Sequence, residues 1–140
     1  MKIQIVYEEK EAIEGFEVIN IKYGLDSLKG IIDHSSEEIY IPESLDKLDL
    51  ENANLVLYTA LKKLRLDGKI FISGTSLRSV CLNVIGNEIN YESFSKLIAQ
   101  SSSLRDVNDI EEILINQNIS IETSTVRGNT YEITATRKRT

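Results

Sequence analysis

The sequence contains no tryptophan and only one each of proline, cysteine, histidine and methionine. A lone cysteine excludes an intrachain disulfide framework, and with a single histidine it excludes a structural zinc site. Without tryptophan, and with proline almost absent, the core must be built from Ile, Leu and Val, and few loops are stiffened. Positive charge is also scarce: 16 Lys and Arg stand against 22 Asp and Glu, for a net charge of −6. This balance argues against non-specific binding to a phosphate backbone and favours solubility. No apolar run approaches the roughly 20 residues that a membrane-spanning helix needs. The first residues, MKIQIVYEEKE, turn acidic too soon for a secretory leader. A cytoplasmic location is therefore expected, with neither a membrane nor nucleic acid among the partners. Phosphate-loop and serine-hydrolase signatures (G-x-x-x-x-G-K-[ST] and G-x-S-x-G) are missing as well.

What is present reads as one domain over residues 1–140, with 41% apolar and 27% charged residues. Ile3, Ile5 and Tyr7 alternate with polar neighbours, as a strand requires, and Phe16–Ile21 reads as a second strand. Their connection is short for a helical crossover, so the pair either lacks its helix or forms a hairpin. Residues 25–36 read as irregular, and Glu38–Ile41 as a third strand stopped by Pro42. Asp49 or Asn52 can cap a helix whose apolar face is Ala53, Val56, Leu57, Ala60, Leu61 and Leu64. Gly68 is expected to end that helix in a left-handed conformation, and Lys69–Ser73 to follow as a buried strand. Asn90 is expected to cap a helix carrying Phe94, Leu97 and Ile98, and Ser101–Ser103 to loosen the chain. A further helix turns Val107, Ile110, Ile113 and Leu114 inward. Two alternating runs, Ile119–Thr125 and Tyr131–Ala135, flank Arg127-Gly128-Asn129 as a terminal hairpin.

Several of these segments together resemble a class I SAM-dependent methyltransferase domain. Glu38-Ile39-Tyr40, Leu45, Asp46 and Leu48 follow that family's D-E-I-Y-A-S-H-V-L-E-H-L pattern, and Leu66-Asp67-Gly68-Lys69-Ile70 follows L-K-P-G-G-R-L-x-I with Pro and one Gly missing. Gly15–Lys22 is similar to the G-W-I-N-V-D segment of the same branch, with one residue inserted. The resemblance implies an α/β Rossmann-like fold, a mainly parallel sheet with helices and an antiparallel hairpin at one edge.

The departures fall where the family holds its cofactor. Its glycine-rich loop is replaced by Val6-Tyr7-Glu8-Glu9-Lys10, and its ribose-binding acid by Lys22, which has no lone pair to offer when charged. Glu43 and Lys47 stand at its two histidines, and Asp26 is the acid left near the adenine edge. Tyr7, Lys22, Asp26 and Glu43 are accordingly the candidate cofactor-site residues, and no catalytic or metal-ligating residue is assigned.

Each candidate also has a plainer reading: Asp26 as a turn former, Glu43 as a solvated loop carboxylate, and Tyr7 as a strand tyrosine packed on its neighbour. His34 is expected at the surface, Cys81 as a buried structural thiol, and Arg137-Lys138-Arg139 as a frayed terminus. The resulting expectation is a methyltransferase-like domain that has lost SAM, uses no cofactor, and acts through a protein partner or self-association rather than as an enzyme. The alternative is an active SAM-dependent methyltransferase with an unusual cofactor loop.

Overall fold

A computed structural model of the chain describes residues 1–139. Its elements run β1 (Lys2–Val6), β2 (Glu17–Asn20), α1 (Asp26–Lys29), β3 (Ser36–Pro42), a 3-10 turn (Ser44–Lys47), α2 (Leu50–Lys63) and β4 (Leu64–Thr75). They continue with α3 (Leu77–Ile85), α4 (Tyr91–Gln100), α5 (Val107–Asn116), β5 (Ile119–Arg127) and β6 (Thr130–Arg137). The six strands form one sheet in the order β2-β1-β3-β4-β6-β5. β1 pairs in parallel with β2 and β3, and β3 with β4, while β6 is antiparallel to both β4 and β5. The mainly parallel sheet and the terminal hairpin are those expected from the sequence.

Period-two alternation explains how the core forms. Ile3 and Ile5, Ile39 and Ile41, and Ile70 and Ile72 occupy the same face of neighbouring strands and are buried. Against them pack Ala53, Val56, Leu57, Ala60 and Leu61 of α2, Ile110 and Leu114 of α5, and Leu28 of α1. The Asp49 carboxylate caps α2 by accepting the Asn52 N–H at 2.8 Å. The opposite face presents Lys2, Glu38, Tyr40, Lys69, Phe71, Glu132 and Thr134. Among the described residues no helix packs on that face. The link between β1 and β2 covers part of it, with Ile13 N–H donating to Gln4 Oε1 at 3.1 Å. β1 and β2 are therefore parallel strands joined without a helix, which settles the choice that the short connection left open.

Several local expectations differ from the structure. Residues 26–29 form a helical turn inside the stretch expected to be irregular. Gly68 does not terminate α2, because the helix stops at Lys63 and Leu64 already begins β4. Asp67 takes the positive φ, 62°. Glycine at 68 provides space instead, since a Cβ there would stand 2.9 Å from the Arg65 carbonyl and 3.1 Å from that of Ser36. Cys81 is exposed on α3, because this helix packs few of its side chains against the rest of the molecule. Arg137 is the last residue of β6 and donates from Nη2 to the Leu61 carbonyl at 2.5 Å, so it closes the C-terminal turn of α2 rather than fraying. Ser103 is buried and donates to the Leu45 carbonyl at 3.0 Å, although the serine triplet reads as loose in sequence.

Candidate functional site

β1 hands the chain to β2 on one side of it, whereas β3 hands it to β4 on the other. The carboxyl ends of β1 and β3 thus flank the place where strand order reverses, where open α/β sheets form a crevice. A cavity of about 150 Å³ lies there, lined by Tyr7, Glu8 and Lys10 beyond β1 and by Pro42, Glu43, Ser44 and Lys47 beyond β3.

The local sequence explains how these groups converge. Pro42 ends β3, and Glu43 then turns the chain with φ 53°, a left-handed conformation that non-glycine residues adopt at a cost. The Glu43 N–H donates to the Ser73 carbonyl at 2.9 Å, anchoring the turn to β4. The Ser44 hydroxyl donates to the Ile5 carbonyl at 2.8 Å and to that of Pro42 at 3.0 Å, tying the 3-10 turn to β1. These bonds hold the two strand ends in fixed register around the cavity.

Of the four residues singled out in sequence, Tyr7 and Glu43 line this cavity. Lys22 lies beside it, with Nζ 6.0 Å from the Tyr7 ring centroid and 5.7 Å from that of Tyr23. Asp26 is not part of the group. It opens α1 and lines a separate groove of about 640 Å³ between β2 and the α1 segment, with Asn20, Gly30 and Ile31 among its walls. His34 is exposed, as expected, with φ 60°. Among the described residues no group of three or more His, Cys, Asp or Glu side chains is placed to hold a metal ion. Likewise no helix there is long and apolar enough to cross a membrane.

Sequence reasoning missed the acid beneath the site. Asp46 is 5% exposed, and its Oδ2 accepts the Thr75 N–H at 2.8 Å at the end of β4. Burial pushes its carboxyl up to about 6, against the opposing pull of the Thr75 hydrogen bond, and the nearby Glu43 charge adds to the rise. Its own carbonyl accepts the N–H groups of Ser102 and Ser103 at 2.8 and 3.2 Å. In sequence Asp46 sits in a polar run, Ser44-Leu45-Asp46-Lys47, with no cue that it turns inward.

No protein-family model matches the sequence, and no curated protein matches it. Solved structures do match. An O-methyltransferase family protein from Burkholderia thailandensis superposes with TM-score 0.63 at 10% identity, over 88% of this chain and 36% of its own. A SAM-dependent methyltransferase from Archaeoglobus fulgidus gives TM-score 0.62 at 16% identity, over 96% of this chain and 75% of its own. Magnesium protoporphyrin IX methyltransferase from Synechocystis, solved with bound SAH, gives 0.55 at 17%, over 88% and 51%. The chain thus spans about a third of the first of these proteins and half of the third.

These neighbours overturn the expectation of a scaffold that uses no cofactor. All three are methyltransferases by name and share the fold; one is described as SAM-dependent and one was solved with the demethylated product, SAH. The physical reason is that the missing glycines do not close the crevice: the Pro42–Glu43 turn and the β1 end leave it open between them. At identities of 10–17% the likeness speaks for the fold. The chain has the fold of the class I SAM-dependent methyltransferases.

Proposed function

We propose that this domain binds S-adenosylmethionine, or its demethylated product, in the crevice between the carboxyl ends of β1 and β3, and that a protein partner or second copy completes it. The cavity at the point of strand reversal carries this reading. Its walls bring carboxylates (Glu8, Glu43) and ammonium groups (Lys10, Lys47) together around the Tyr7 ring. A ligand whose amino-acid end carries both charges meets both complements there. Backbone groups at the strand ends take over the approach that a glycine loop otherwise permits. Methyl transfer needs chiefly in-line positioning of donor and acceptor, so the lack of a preassembled acid–base pair is compatible with catalysis.

The partner half of the proposal is supported by the sheet face that carries no helix. Calorimetric titration with SAM and with SAH tests the ligand reading. Saturable binding that weakens in Glu43→Ala is the expected result, and no binding at millimolar ligand overturns it. Light scattering across a concentration series tests self-association.

A further inference from the structure

The excursion carrying α3 and α4 leaves the end of β4 at Ser76 and returns at Arg105. Its two ends are pinched together. Ser76 and Arg105 form a parallel bridge, and the Leu77 N–H donates to the Arg105 carbonyl at 3.1 Å. Arg78 Nε donates to the Asp106 carboxylate at 3.0 Å across the same neck. An arm closed at its base can swing about that base without dragging the sheet with it.

Beyond the neck the arm is held by Ser102 and Ser103, tied to the Asp46 carbonyl, and by Asn83 Nδ2, which donates to Asn129 Oδ1 at 2.5 Å, but by little apolar burial. α4 buries no residue, and α3 buries only Val80. Leu82, Ile85 and Tyr91 are 61%, 78% and 77% exposed, although burying such side chains is favourable. Elements with few buried contacts are those that open and move most readily. The arm's return also reaches the candidate site, where the Gln100 carbonyl accepts from Lys47 Nζ at 3.5 Å. Lys47 is a wall of the strand-end cavity. At about 150 Å³ that cavity is smaller than the roughly 300–1,000 Å³ usual for a small-molecule site, so a further wall is needed to enclose a ligand.

We infer that the α3–α4 arm is a lid that closes over the crevice between β1 and β3 when a ligand occupies it, hinging at Ser76 and at Ser101, just before Ser102 and Ser103 are tied to the Asp46 carbonyl. The inference rests on the proposed ligand site. Closure supplies the missing wall and covers apolar side chains that the open arm leaves in water; the bonds of the neck stay intact, and the Asn83–Asn129 hydrogen bond is given up.

Cys81, the single cysteine, is exposed on α3 and gives a reporter that needs no mutation. The protein labelled there with an environment-sensitive fluorophore is titrated with SAH, alongside calorimetry and amide hydrogen exchange on unlabelled protein. Closure predicts a saturable fluorescence change and exchange slowed by about tenfold or more across the arm. If calorimetry shows binding while label and exchange stay unchanged, the lid is overturned and the ligand site stands. If SAH gives no heat, the ligand site falls and the lid with it. As a second arm, residues 77–100 are replaced by a flexible glycine link from Ser76 to Ser101, which keeps the bonds of Ser102 and Ser103 to Leu45 and Asp46. A cooperatively unfolding variant that binds SAH about tenfold or more weakly supports closure, and one with unchanged affinity overturns it.

Discussion

On one face of the sheet Ile3, Ile39 and Ile70 lie under α1, α2 and α5, while one residue away Lys2, Glu38 and Lys69 belong to the face that no helix covers. Parallel strands are ordinarily buried on both faces and read as continuous apolar runs. Here β1, β3 and β4 read instead as KIQIV, EIYIP and KIFIS, each alternating like a strand with one wet side. The cause is the β1–β2 connection, which crosses without a helix and leaves one layer of the sandwich missing. The comparison teaches that a local change of connection has been accommodated by the chemistry of a whole sheet face.

The comparison is broken most directly by substitution on neighbouring residues of β4. Ile70→Ala removes a fully buried side chain and is expected to cost about 2–5 kcal/mol, whereas Lys69→Ala should stay within about 0.5 kcal/mol. Urea unfolding of the two variants checks this. Equal losses would mean that the open face is covered in solution.

Asp46 sharpens it next, as a charge held at the covered end of the sheet. Its carboxyl titrates at about 6 in the fold, against an ordinary 3.8, so folding takes up a proton between those values. The associated stability is complete below pH 3.8 and is lost as pH rises through about 6. Asp46→Asn can keep the Thr75 hydrogen bond without carrying charge. It should stabilise the protein by up to about 3 kcal/mol at pH 8 and have little effect at pH 4, as read from melting midpoints across pH.

Gly74 gives a smaller effect. A Cβ there would meet the buried Tyr131 ring at 2.8–2.9 Å and its hydroxyl oxygen at 2.7 Å. Gly74→Ala should destabilise by about 1–3 kcal/mol, measured by the same unfolding curves. The smallest effect belongs to the open face, where Lys2 and Glu38 approach at 3.7 Å, each side chain about one-third exposed. A double-mutant cycle on this pair should return about 0–1 kcal/mol and less in high salt. A larger coupling would show that the face is shielded from water.

Much of the fold was legible because period-two and helical patterns are local. The Asp49 cap, the apolar stripe of α2 and the hairpin around Gly128 all follow from neighbouring residues. Gly68 was misread because its role is set by backbone from Arg65 and Ser36 closing in on it, which no local rule reports. The fate of Cys81 was misread for a related reason: an apolar neighbourhood in sequence does not say whether the helix carrying it finds a surface to bury against. The candidate site was half legible. Tyr7 and Glu43, singled out through the family resemblance, line one cavity, whereas Asp26 lines another groove and Asp46 reveals itself only by burial.

The sequence by itself determined which residues form strands and helices, which side of each strand is apolar, and that the first connection is too short for a crossover helix. Those properties depend on spacing along the chain. Tertiary structure alone decided that β1 and β2 run parallel, that Asp46 is buried with its proton affinity raised, and that Tyr7, Glu43 and Lys47 surround one cavity. These depend on which distant segments meet, and only the packed core, with α2 pressing β1, β3 and β4 into register, brings them together.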